Sequence, residues 1–195
     1  LEVREAVFDY IKNRVKDHKG RKISEILTML SHDPCVKFRA RIIDDYRLPS
    51  EEVDRMGKDK SVRVRLNVLR RRTWRLTTDY GLLDEKRVLV RSKAAEIITL
   101  SLDFDPFKKM NDRVLNRLEA KIAADPAHEV RVILAGAYDA SAKILKRLIK
   151  DPSPEVQREL TRRYLPRTPG DTAKWSEKKT GVLKELEAHR NPYIR

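Results

Sequence analysis

The chain has 195 residues, of which 38% are charged and 40% hydrophobic, with 44 Lys and Arg against 30 Asp and Glu. That is too apolar for wholesale disorder, and with only 6 Gly and 9 Pro it suits a helix-rich protein. A net charge of +14 and a pI near 10.0 favour polyanionic partners: DNA, RNA or an anionic membrane surface.

The single cysteine, Cys35, excludes an internal disulfide and a cysteine-based metal cage, and it points to a reducing, cytoplasmic setting. His18, His32, His128 and His189 include no pair at the i, i+4 spacing of a helical zinc site, so no metal or cofactor is expected. No apolar run approaches the ~20 residues of a membrane span, and the opening residues carry no leader pattern.

In chain order, LEVREAVFDYIKNRVKDHK is expected to be an amphipathic helix on Val3, Val7, Tyr10, Ile11 and Val15, capping the N-terminus over residues 1–21. Residues 22–164 then carry an internal repeat. An acidic residue is followed five positions later by Val or Phe and then by Arg or Gln: Asp33 with Phe38-Arg39, Asp59 with Val64-Arg65, Glu85 with Val90-Arg91, Asp125 with Val130-Arg131, and Asp151 with Val156-Gln157. Three residues before each acid stands Leu30, Met56, Leu82, Ile122 or Leu148, and four after each Val or Phe stands Ile42, Val68, Ala94, Leu134 or Leu160. Five copies sharing four positions are not chance.

Each copy is predicted to be two helices. ASAKILKRLIKD places Ile144, Leu145, Leu148 and Ile149 at helical spacing, and PEVQRELTRRYL does the same with Val156, Leu160 and Tyr164. Asp-Pro at 33–34, 125–126 and 151–152 marks the turn between them, Asp as cap and Pro at the first helical position. Ser50 and Asp139 are the expected caps of first helices. A lone pair cannot bury its apolar stripe, so the copies must stack. The expected fold is therefore all-α, one right-handed α-solenoid over 1–195 with about five two-helix repeats. Extra residues around TLSLDFDPFKKMND interrupt it, with Asp105-Pro106 breaking the helix. Residues 165–195 are expected to form a Pro/Gly linker and a last helix from about Asp171 to His189.

The stretches LPSEEVDRMGKDKSVRVRLNVLRRR and DASAKILKRLIKDPSPEVQRELTRRY resemble the leucine-rich-repeat variant and HEAT-like families. They look like the variant family's pattern of an Asp- or Pro-capped first helix, Leu-x-x-Leu-x-x-Asp and then Asp-Pro-x-x-x-Val-Arg. The resemblance implies a helical-repeat fold and says little about function. The cysteine cluster found beside some variant-repeat arrays has no counterpart here, so no iron–sulfur centre follows.

A structural ladder is expected from Asp33, Asp59, Glu85, Asp125 and Asp151 with Arg39, Arg65, Arg91 and Arg131, each arginine pairing with the next copy. RRRTWR, residues 70–75, raises a different prospect. On a helix running from about Ser61 to Trp74, Arg63, Asn67, Arg70 and Trp74 share a narrow sector with Arg71 beside it, while Arg65 and Arg72 point among the apolar residues. Arginines can neutralise phosphates while an indole stacks on a base. The candidate nucleic-acid contacts are Arg63, Arg70, Arg71, Trp74, Arg75 and Arg87, together with Lys143, Arg147 and Arg162 from a second basic stretch. If second helices line one groove, both stretches would face the same side. An acidic protein partner is the competing reading, and no oligomeric state follows from the sequence.

Catalysis finds little support. There is no Gly-rich phosphate loop and no GxSxG. Trp74 and Asp79 are a loose echo of the HEAT-like alkylpurine DNA glycosylases and the only candidates for that chemistry. Cys35 reads as a small core residue, and Asp44-Asp45 and Glu51-Glu52 as solvated neighbours.

Overall fold

A computed structural model describes residues 5–6, 9–10, 21–44, 48–72, 78–104, 112–138, 140–164 and 184. These residues are helical or lie in turns, with no strand among them, so the fold class is all-α. The chain divides into two compact units, Leu1–Arg71 and Arg72–Arg195.

The first unit holds α1 (Arg21–Ser31), α2 (Val36–Ile42), α3 (Ser50–Met56) and α4 (Val62–Arg71). First helix packs on first helix (α1 on α3), second on second (α2 on α4), and each pair also packs on itself. The core between them is Ile23, Leu27, Phe38, Ile42, Val53, Met56, Val64 and Val68, all buried. From the opening segment, Glu5 pairs with Lys37 and Asp9 with Arg41, so residues spaced four apart meet residues spaced four apart on α2.

The second unit holds a 3₁₀ turn (Leu82–Asp84), α5 (Val88–Phe104), α6 (Asp112–Ala123), α7 (His128–Ala135), α8 (Ala142–Ile149) and α9 (Pro154–Tyr164). Here α5, α7 and α9 pack in succession, and α6 packs on α8. α8 shows why such a sequence folds as it does. Ile144, Leu145, Leu148 and Ile149 form one buried stripe and Lys143, Lys146 and Arg147 the exposed remainder, with two of those cations in the last turn where the helix dipole favours them.

The apolar positions shared by the copies are nearly all core. Phe38, Val64, Val90, Val130 and Val156 are buried, as are Ile42, Val68, Ala94, Leu134 and Leu160. Met56, Leu82, Ile122 and Leu148 are buried too, whereas Leu30 is only half-buried and Leu27 takes its place in the core.

Four expectations need correction. First, the repeated Asp does not cap its helix directly. Asp33, Asp59, Asp125 and Asp151 each accept a hydrogen bond from the backbone N–H two residues on, at 2.7 to 2.9 Å, and the Asx turn so formed sets the approach to the helix. Pro34 and Pro126 accordingly precede the N-cap residues Cys35 and Ala127, and it is Pro154 that opens a helix. Second, Ser50 is the first residue of α3 rather than its cap, because Pro49 holds the cap position; Asp139 lies outside the described residues. Third, the first helix of the third copy is reduced, among the described residues, to the 3₁₀ turn. The backbone is left-handed at Tyr80 (φ 52) and Gly81 (φ 70), which a right-handed helix cannot pass through. Fourth, α4 ends at Arg71 and does not extend to Trp74 among the described residues. The Asp105-Pro106 break and the C-terminal helix also lie outside them.

Candidate nucleic-acid interface

Arg39, Arg91 and Arg131 of the ladder each use the whole guanidinium. Arg39 Nε and a terminal nitrogen grip both carboxylate oxygens of Asp59 at 2.7 and 3.0 Å, and the other terminal nitrogen donates to the carbonyls of Asp33 and Pro34. Arg91 does the same with Asp125 and the carbonyls of Glu85 and Lys86. Arg131 repeats it with Asp151 and the carbonyls of Asp125 and Pro126. The arginine thus satisfies the turn of its own copy and clamps the turn of the next. Burial works against the Asp59 carboxylate, but Arg39 and the Ser61 N–H hold it below its ordinary value. Hydrogen bonding to the paired aspartates raises Arg39, Arg91 and Arg131 further above theirs. In the last copy Gln157 stands at the arginine position. Its amide donates to the Asp151 carbonyl at 2.7 Å, which keeps the contact with its own turn without the charge. Arg65 is half-buried.

The sector of α4 expected to face outward divides. Arg63 is exposed, with no partner among the described residues. Asn67 instead donates to the Ala40 carbonyl of α2 at 2.9 Å. Arg71, half-buried, donates to the carbonyl of Ile43, at the C-terminal end of α2, and to that of Leu48, just before α3. Arg70 pairs with Asp44 at 2.7 Å across an exposed surface. The helical wheel failed for Asn67 and Arg71 because their sector faces the end of a neighbouring helix, not solvent. Trp74 and Arg75 lie outside the described residues.

The second basic stretch also divides. Arg162 is on α9, where it pairs with Glu159, whereas Lys143 and Arg147 are on α8. Only part of the second stretch therefore lies on a second helix. What α8 offers instead is a continuous basic face. Lys143, Lys146, Arg147 and Lys150 are all exposed, and residues 140–150 contain no acid. These four span about 10 Å of helix axis. α6, packed alongside, adds exposed Arg113 and Arg117. Arg87, at the approach to α5, is exposed as well.

Register comparison identifies a further series that sequence reasoning missed. Four residues before the acid of each copy stand Met29, Arg55, Gly81, Lys121 and Arg147. Arg55 reaches back to the Ser31 carbonyl and hydroxyl of the preceding copy. Lys121 reaches back to Asp79 at 2.8 Å and Asp84 at 2.7 Å. Arg147 is the next member. The positions matching Ser31 and Asp84 are there Ala123 and Ala124, and Arg147 has no partner among the described residues.

Asp79, the glycosylase candidate, is 7% exposed and fully engaged. It accepts from Lys121 and from the Leu83 N–H, and these hold its carboxylate below the usual range despite burial. It is built to hold a turn, not to move a proton. Cys35 is half-buried at the start of α2. No group of His, Cys, Asp and Glu suited to a metal occurs among the described residues, and no described helix is long and apolar enough to cross a membrane.

Comparison with protein-family models, with curated proteins and with solved structures returned no match to this chain.

Proposed function

We propose that the chain is a non-enzymatic helical-repeat protein, a right-handed α-solenoid of the leucine-rich-repeat-variant or HEAT-like kind, that binds the backbone of nucleic acid. The fold reading is supported by three Arg–Asp clamps of the same geometry and by the packing of first helix on first and second on second in both units. The functional reading is carried by one observation. α8 presents Lys143, Arg147 and Lys150 to solvent with no protein partner among the described residues, and Arg147 stands in the register where Arg55 and Lys121 are spent on packing. Exposed cations without counter-charges repel one another, so such a face is costly unless something anionic covers it.

A face that neutralises three phosphates should give a logarithmic salt slope of about −2.7 on duplex DNA, or roughly a fortyfold loss of affinity for a fourfold rise in salt. Fluorescence anisotropy with labelled oligonucleotides at several salt concentrations tests this. Lys143→Glu/Arg147→Glu is expected to abolish binding while leaving the far-UV circular dichroism unchanged. Binding that survives this variant would refute the assignment to α8. Absence of binding at low salt would leave an acidic protein as the partner.

A further inference from the structure

We infer that α5 carries a contact surface for a second copy of this chain, which packs its own α5 against it in the antiparallel sense.

The outer stripe of α5 is Leu89, Lys93, Glu96 and Leu100, at the i, i+4, i+7, i+11 spacing that keeps them within a sector of about 60°. Ile97 and Thr99, to either side, are buried, so the stripe is narrow. Leu89 is 82% and Leu100 55% exposed, and between them Lys93 pairs with Glu96 at 2.5 Å. A single exposed leucine needs no explanation. Leu89, however, departs from its register. Four residues past the acid of each copy stand Lys37, Arg63, Leu89, Glu129 and Glu155, all exposed, and every one but Leu89 is charged. Leu100 depends on helix length. α5 runs 17 residues, against 7 to 11 for the other second helices, and Leu100 falls in the added turns.

The stripe is complementary to itself. Leu89 and Leu100, and likewise Lys93 and Glu96, are placed evenly about the midpoint between Ala94 and Ala95. A two-fold axis at that midpoint sets Leu89 against Leu100 of the second copy and Lys93 against its Glu96, and each contact recurs in reverse, the isologous pattern of a symmetric dimer. The two leucine pairs then lie about 16 Å apart along the helix and bracket two ion pairs between the copies. Antiparallel packing also brings exposed Lys86 and Arg87, just ahead of α5, beside the C-terminal end of the other α5, the negative pole of its dipole. Two copies of net charge +14 repel each other, and a stripe with one cation and one acid lets them meet without adding to that repulsion. One helix pair makes a small interface, so the dimer is of the weak, transient kind.

Sedimentation velocity up to millimolar concentration tests this, with far-UV circular dichroism checking the fold of each variant. Wild type should pass from monomer to dimer. Leu89→Glu/Leu100→Glu should weaken association at least about tenfold. Lys93→Glu and Glu96→Lys each set like charges face to face and should each weaken it about fivefold. Mixed in equal amounts, these two variants present opposite charges to one another and should associate as wild type does. A wild type that stays monomeric at millimolar concentration would overturn the inference and leave the stripe to an unlike protein. A dimer unchanged by the leucine substitutions, or charge variants that fail to recover on mixing, would overturn it too, because either places the contact elsewhere.

Discussion

Asp125 is the member of the ladder whose removal is most informative. Its carboxylate is 5% exposed, receives two hydrogen bonds from Arg91 at 2.7 and 3.1 Å, and accepts from the Ala127 N–H at 2.9 Å. Asp125→Ala strands the Arg91 guanidinium, whose side chain is 10% exposed, and frees a turn N–H. Breaking a buried pair from one side costs about 3–5 kcal/mol, and the lost turn bond adds about 1. The protein contains its own control for the opposite case. Gln157 shows that a neutral amide can serve the turn of its own copy. Arg91→Gln/Asp125→Asn should therefore be milder than Asp125→Ala, at about 1–3 kcal/mol, because it buries no uncompensated charge.

Urea unfolding followed by circular dichroism reads both variants. A loss of about 3 kcal/mol moves the midpoint by roughly 1–2 M. A double-mutant cycle over Arg91→Gln, Asp125→Asn and their combination should be non-additive by about 1 kcal/mol or more. An Asp125→Ala variant within about 0.5 kcal/mol of wild type, or an additive cycle, would refute the claim that the clamp holds successive turns together.

Glu119 predicts a pH dependence of the opposite sense to the usual carboxylate. It is 2% exposed, accepts the Ser141 N–H at 3.0 Å, and has one carboxylate oxygen with no partner, so burial pushes its pKa up. A raised folded pKa means that its stabilising effect is present in acid and is lost as pH climbs past the ordinary carboxylate value through the folded one. Glu119→Gln should thus raise the unfolding midpoint at about pH 8 and have little effect at about pH 4; a shift of equal size at both would refute this. Arg70 and Arg71 should separate sharply. Arg70→Ala removes an exposed pair and should cost under about 1 kcal/mol, whereas Arg71→Ala removes the donor to the Ile43 and Leu48 carbonyls and should cost about 1–3, both read as urea midpoints.

The apolar skeleton was legible because it is periodic. The positions of Met56, Ile122 and Leu148, and of Phe38 and Val130, are fixed by local helical spacing and then repeated, so burial followed from the pattern. The Arg–Asp pairing was legible for the same reason. The turns were less so, because whether Asp33 bonds the first or third N–H beyond it depends on φ and ψ that Pro34 constrains but does not dictate. Leu30 shows the limit of periodicity: at the edge of the series, its neighbours decide how far it is covered.

The charged residues were the least legible, and the reason is physical. A helical wheel sorts residues by azimuth, but a long arginine side chain reaches beyond its own helix to whatever lies at that height. Arg71 found the Ile43 carbonyl at the end of α2, Arg55 found Ser31, and Lys121 found Asp79 and Asp84. Four arginines in six residues drew attention to RRRTWR, yet local density of charge is no measure of charge left over. What separates a gripping surface from a structural one is the balance of donors against acceptors already spent, and that becomes visible only when equivalent positions are compared across copies. By that measure Arg147, whose register has Ala123 and Ala124 where that of Arg55 has Ser31 and that of Lys121 has Asp84, has fewer acceptors to satisfy than Arg71.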